Sequence, residues 1–130
     1  MTIKLTLPYP VSTNRYWRSA AAKGRVRTYR SKEADEYRDT VKWLAKCEQI
    51  KSHDGDYSLE FELHPRQNKD GSASGSVIDL DNALKVALDA LEDVIYKNDN
   101  QVKQLSIRYG KPVIGGGLTV IAERLERGAE

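Results

Sequence analysis

Apolar and polar residues alternate along Ile3-Lys4-Leu5-Thr6-Leu7, the two-residue period of a strand that buries one face. Pro8-Tyr9-Pro10 stops it and is expected to start a loop, because proline lacks a backbone donor and fixes its own φ; the basic segment that follows is read as that loop. Further on the period becomes helical: Tyr37, Val41, Leu44 and Ala45 form an apolar stripe, with Lys32, Glu33, Arg38, Lys42 and Glu48 on wetter faces. The Ser31 hydroxyl is suited to cap this helix, and Glu33 and Glu36 favour its first turn, so it is expected to run to about Ile50. Ser52-His53-Asp54-Gly55-Asp56 reads as a turn. Tyr57-Ser58-Leu59-Glu60-Phe61-Glu62-Leu63 then alternates as a second strand that ends before Pro65.

The segment from Arg66 to Ser76 is polar and rich in glycine and serine, which predicts a mobile loop with a substrate-gating position ahead of Asp79. A second helix is expected from about Leu80 to Tyr96, with Leu80, Leu84, Ala87, Leu88, Leu91 and Ile95 as its buried stripe. Asp81, Lys85, Asp89 and Glu92 form a charged face beside that stripe, and Asp89 either supports Lys85 or is simply solvated. Residues 101–109 and 117–123 read as two further strands, and 126–130 as a frayed tail. The order strand, helix, strand, helix, strand, strand predicts an α/β fold of the α+β type. Its form is a two-layer sandwich with a mixed sheet of about four strands and two main helices, folded as one domain over residues 1–130.

Composition narrows this picture. A chain of 130 residues that is 39% hydrophobic can bury one core. No apolar run reaches bilayer length, and Met1-Thr2-Ile3-Lys4 lacks the features of a secretory signal. Cys47 is the sole cysteine, so no internal disulfide forms and a cytoplasmic setting is expected. His53 and His64 stand alone, without metal-ligand spacing.

The net charge of +2 is ordinary, but its distribution is not. Arg15, Arg18, Lys23, Arg25, Arg27, Arg30 and Lys32 follow one another with no acid until Glu33, and Tyr16, Trp17 and Tyr29 are interleaved. Such a segment suits a polyanion: cations for phosphates, aromatic rings for unstacked bases. Asn14, Arg15, Tyr16, Arg18, Lys23, Arg25, Arg27 and Arg30 are the expected DNA contacts. For Tyr16 and Trp17, anchoring to the core remains an equal alternative.

The candidate chemistry lies in Asp79-Leu80-Asp81-Asn82, with Lys85 one helical turn beyond Asp81 and Asp99 past the end of the helix. One aspartate is explained as a helix cap, since the exposed N–H groups at a helix start favour an anion. Several carboxylates with no cysteine or histidine cage suit Mg²⁺ or Mn²⁺, which polarises a phosphodiester and activates water. Lys85 adds a fixed positive charge. The alternative is a capped helix with an Asp81–Lys85 surface pair.

Leu7-Pro8-Tyr9-Pro10-Val11-Ser12-Thr13-Asn14-Arg15-Tyr16, then Asp79-Leu80-Asp81-Asn82 with Lys85 and Asp89-Ala90-Leu91, then Asp99-Asn100-Gln101-Val102, resemble the RusA-type Holliday junction resolvases. The resemblance implies a homodimeric, Mg²⁺-dependent endonuclease, with Mn²⁺ as a substitute, that cuts four-way junction DNA by paired symmetric nicks. It implies Asp79, Asp81 and Asp99 as metal-binding carboxylates, Lys85 as a catalytic basic residue, and a fold that brings Asp99 to the other two. The chain departs from the pattern at Asn98, where the family often has an acid, and at Ser76-Val77-Ile78, where it often has bases. The second departure bears on the grip on DNA. A non-catalytic binder of branched or single-stranded DNA, with the aspartates as caps, is the competing reading. A nucleotide-sugar transferase would need a phosphate cradle that the chain lacks.

Overall fold

The chain forms β1 (Thr2–Leu7), α1 (Thr13–Tyr16), β2 (Trp17–Ala22), β3 (Arg25–Arg30), α2 (Lys32–Cys47), β4 (Asp56–His64), α3 (Leu80–Leu91), a 3₁₀ turn (Asp99–Gln101), β5 (Val102–Tyr109) and β6 (Gly117–Leu125). The computed structural model describes residues 2–125, so the tail expected at 126–130 lies outside it. Four strands make a mixed sheet in the order β1-β6-β4-β5, and β2 and β3 make a separate two-stranded ribbon. The mixed sheet with two main helices is the architecture the periodicities predict.

Three rows of apolar side chains cross the sheet, and the register explains them. Ile3, Ala122, Leu59 and Leu105 are successive neighbours; so are Leu5, Val120, Phe61 and Ile107, and so are Leu7, Leu118, Leu63 and Tyr109. Alternate residues of a strand share a face, so each two-residue period in the sequence becomes one column of this array. The helices cover that face, with α2 packed against β1 and α3 against β4 and β5. The opposite face carries Thr6, Glu60, Glu62 and Lys4 and is open.

α2 starts where its cap predicts, with the Ser31 hydroxyl accepting from Ala34 N at 3.1 Å. It stops at Cys47, where Gln49 turns to φ 58 and Ile50 N bonds back to Ala45 O. α3 is shorter than expected. It ends at Leu91 because Glu92 is extended and Asp93 sits at φ 67, a conformation that aspartate tolerates better than most residues. Val94, Ile95 and Tyr96 stay buried beyond it as a turn, which prolongs the apolar pattern without prolonging the helix. The 66–76 segment, expected to be mobile, is closed by its own bonds, including Asn68 N to Ser72 O at 2.8 Å and Ser74 N to Arg66 O at 2.8 Å.

Candidate active site at one edge of the sheet

β1 and β4 both run antiparallel to β6, and β5 runs parallel to β4. The carboxyl ends of β1, β4 and β5 therefore open onto one edge of the sheet, the place where α/β proteins bind ligands. The loop after β1 and the chain entering α3 meet there. Ile78 is held by both backbone groups: its N–H donates to the Tyr9 hydroxyl at 2.9 Å and its carbonyl accepts from the Tyr109 hydroxyl at 3.0 Å. Asn82 Oδ1 accepts from Thr13 N at 3.1 Å and from the Thr13 hydroxyl. The asparagine of Asp-Leu-Asp-Asn thus has a mechanical task, tying the start of α3 to the turn after β1.

Asp79 is the N-cap of α3, extended at φ −66 and ψ 151, yet its carboxylate makes no capping bond. Asp81 lies in the first turn and Lys85 one turn further, all three exposed. Among the described residues, none of these three side chains has a hydrogen-bond or ion-pair partner; the Asp81–Lys85 surface pair of the capped-helix alternative is not formed. Helix-start aspartates ordinarily spend their oxygens on backbone N–H groups. These do not.

Asp99 lies elsewhere. β4, α3 and β5 form a strand–helix–strand unit with parallel strands, so α3 starts at the carboxyl edge and returns the chain to the amino edge. The turn holding Asp99 is fixed at that far end, where Gln101 donates to His53 O at 3.0 Å and Gly55 O at 2.8 Å, and His53 N donates to Ile95 O at 3.2 Å. From Asp81 to Leu91 alone, helical rise separates the ends by ~15 Å. Among the described residues there is no group of three His, Cys, Asp or Glu side chains able to hold a metal ion. Within one chain the three aspartates do not fit a single cation.

The basic segment is a ribbon, not a loop. β2 and β3 pair from Trp17↔Arg30 to Ala22↔Arg25 around a two-residue turn, Lys23-Gly24, with φ 52 and 74. Positive φ at both central positions is the reversal that suits a twisted hairpin. Directly opposite residues share a face, so Arg18, Arg25, Arg27 and Tyr29 project from one side of the ribbon and Trp17, Ser19, Ala21, Val26 and Arg30 from the other. Both strands are exposed except at Trp17. Tyr16 is fully buried, which removes it from the expected DNA contacts in favour of the anchoring alternative. Arg30 is also withdrawn, its guanidinium making two 2.8 Å bonds to Asp89. Arg15 is paired with Glu33 at 2.5 Å. Asn14 stays exposed beside it.

Asp89 joins four elements. Its carboxylate accepts from Arg30 on β3, Arg38 on α2 at 2.9 Å, and the Tyr16 hydroxyl at the end of α1. Burial opposes its charge, but the Arg30 guanidinium, the Tyr16 hydroxyl and Arg38 together hold the carboxyl below its usual range. Replacing Asp89 with Ala strands Arg38 and the Tyr16 hydroxyl, and is expected to cost ~2–4 kcal/mol of stability. Because the folded pKa is depressed, the contribution is present above ~pH 4 and is lost as pH falls through the folded value. Unfolding midpoints of the two proteins should therefore differ at neutral pH and converge in acid. A gap that stays unchanged all the way into strong acid would take the charge out of the argument.

The family model described as Endodeoxyribonuclease RusA matches residues 8–121. The chain belongs to the RusA endodeoxyribonuclease family. No curated protein matches it closely enough to be reported as a relative. Membership makes it a nuclease of the Holliday-junction-resolving type, with junction DNA as its partner. Among the described residues, no helix is long and apolar enough to cross a membrane.

The RusA match spans the Tyr9 loop, the ribbon, the Asp-Leu-Asp-Asn start of α3 and the Asp99 turn. Three supporting residues escaped the sequence reading: Tyr9, Asn82 in its bonded role, and Asp89 as a hub. Their partners lie 69, 69 and 73 positions away at Ile78, Thr13 and Tyr16, and no local spacing encodes such pairs.

Proposed function

We propose that this RusA-family nuclease is a homodimer that resolves four-way junctions by paired symmetric nicks, using Mg²⁺, with Mn²⁺ able to substitute. The observation that carries the reading is a set of three charged side chains, Asp79, Asp81 and Lys85, all exposed and uncommitted at the carboxyl edge of the sheet. Asp79 and Asp81 would hold a divalent cation there, which would supply charge neutralisation and an activated water for phosphodiester hydrolysis to 5′-phosphate and 3′-hydroxyl ends. Lys85 presents a fixed positive charge to the phosphate, and Asn82 keeps the two aspartates registered to the turn after β1. The face of the ribbon bearing Arg18, Arg25, Arg27 and Tyr29, with Lys23 at its tip, meets the DNA backbone.

A second copy resolves the position of Asp99. Leu105 and Tyr109 lie in the core-side rows of edge strand β5 but are 45% and 46% exposed, and Leu84 and Leu88 of α3, the helix packed on β5, are only partly buried. A two-fold axis running across α3 at this open apolar side would set the helix antiparallel to its copy. Asp99 of the second copy then approaches Asp79 and Asp81, completing the carboxylate set that one chain lacks.

The test is incubation of a synthetic mobile four-way junction with Mg²⁺, beside linear duplex, single strand and an EDTA control. Paired nicks confined to the junction are expected. Tight junction binding without nicks, in Mg²⁺ and in Mn²⁺, would instead leave a binding protein with aspartates at its helix start.

A further inference from the structure

An open cavity of about 370 Å³ lies immediately ahead of Asp79, lined among others by Tyr9, Ser12, Arg15, Arg66, Ser76 and Ile78. The Arg66 guanidinium carbon sits 4.2 Å from the centre of the Tyr9 ring. Tyr9 is itself fixed by the bond from Ile78 N to its hydroxyl, so one ring positions both the stem of Asp79 and the arginine. The backbone makes room for this stack. Gly116 has φ +74, and a Cβ there would come within 2.6 Å of the Tyr9 ring and 3.1 Å of Arg66 Cγ. A side chain at 116 would push both away.

The charges around the cavity single out Arg66. Arg15 is neutralised by Glu33, which also lines the cavity. Ser76-Val77-Ile78 carries no base. Among the described residues Arg66 forms no ion pair, and it is exposed. A guanidinium stacked by its face keeps its edge N–H groups free for the two-pronged contact that a phosphate accepts.

We propose that Arg66, stacked on Tyr9, grips the DNA backbone phosphate next to the one presented to Asp79 and Asp81. This rests on the nuclease reading above and deepens it: the positive charge missing from the segment before Asp79 is supplied from the end of β4. The grip acts on binding, so its loss appears in Kd and KM and not in the turnover of bound junction.

Junction binding in EDTA across a salt series, and cleavage in Mg²⁺, test this on Arg66→Ala, Arg66→Lys, Tyr9→Leu and Arg108→Ala. Arg66→Ala should weaken binding about tenfold, the scale of one charge-assisted contact, and lower the salt slope by about one. Arg66→Lys should recover part of the affinity, because a point charge replaces a planar fork. Tyr9→Leu should weaken binding, and adding Arg66→Ala to it should cost little more, since both remove one contact. Arg108, also exposed but paired with Glu62 on the open face of the sheet, should behave as wild type. A wild-type salt slope in Arg66→Ala, or a loss confined to kcat, overturns the proposal while leaving the nuclease reading standing. Wild-type protein that neither holds nor cuts a junction overturns both.

Discussion

Replacing Asp81 with Asn should reduce junction cleavage by ~10³-fold or more while junction binding stays within a few fold of wild type. The substitution keeps shape and size and removes one negative charge. It breaks no bond, because the Asp81 carboxylate has no partner among the described residues, and asparagine is acceptable near a helix start. Any large effect therefore belongs to chemistry and not to folding. Were Asp81 only a charge favouring the helix N-terminus, its loss would cost ~0.3–1 kcal/mol of stability and leave cleavage intact. The two readings are separated by three orders of magnitude in one gel assay. Removing an acid from the path of a polyanion should if anything tighten binding at low salt, which a titration in EDTA would register. Retained cleavage would take Asp81 out of the site.

What could be read from the sequence follows from where its information is local. Alternation in Ile3–Leu7 and Tyr57–Leu63 is imposed by a sheet with one buried face, and it returned as the rows ending in Leu105, Ile107 and Tyr109. The ribbon was not legible by the same rule. Neither of its faces is buried beyond Trp17, so no period is imposed; Lys23-Gly24 was the available signal, a glycine at a chain reversal between two segments of equal length. Arg30 reads as a DNA contact, and Tyr16 as either a contact or an anchor, because their acidic partner lies far along the chain at Asp89. The helix through Tyr96 was over-extended because burial of Val94, Ile95 and Tyr96 continues where the helical hydrogen bonding has stopped. Asp79 and Asp81 were found by spacing, but no spacing states which edge of the sheet a residue occupies. That requires knowing that β5 pairs in parallel with β4, which sends Asp99 to the opposite edge.

Two individually dead variants, Asp81→Asn and Asp99→Asn, should regain nicking when mixed and allowed to exchange subunits. The expectation follows from the separation of the two ends of α3, ~15 Å of helix between Asp81 and Leu91, with the Asp99 turn fixed at the His53–Gly55 end. If each site combines Asp79 and Asp81 of one copy with Asp99 of the other, a mixed dimer concentrates both defects in one site and leaves the second intact. Random exchange makes half the dimers mixed, so up to about half of the molecules should nick, each with a single working site. The products should be junctions cut on one strand, not the paired cuts of wild type, and denaturing and native gels distinguish them. If each chain instead carried a complete site, every site in the mixture would hold a defect and no nicking would return. Substituting Leu105 with Asp in both variants tests the contact itself. A charge placed on the open apolar side of β5 should keep the copies apart, give monomers by sedimentation, and abolish the restored nicking without lowering the folding stability of the single chain by more than about 1 kcal/mol, since Leu105 is already half exposed. Restoration that survives in a monomeric protein would refute the shared site, and failure of the mixture to nick despite proven subunit exchange would return Asp99 to a role outside the chemistry.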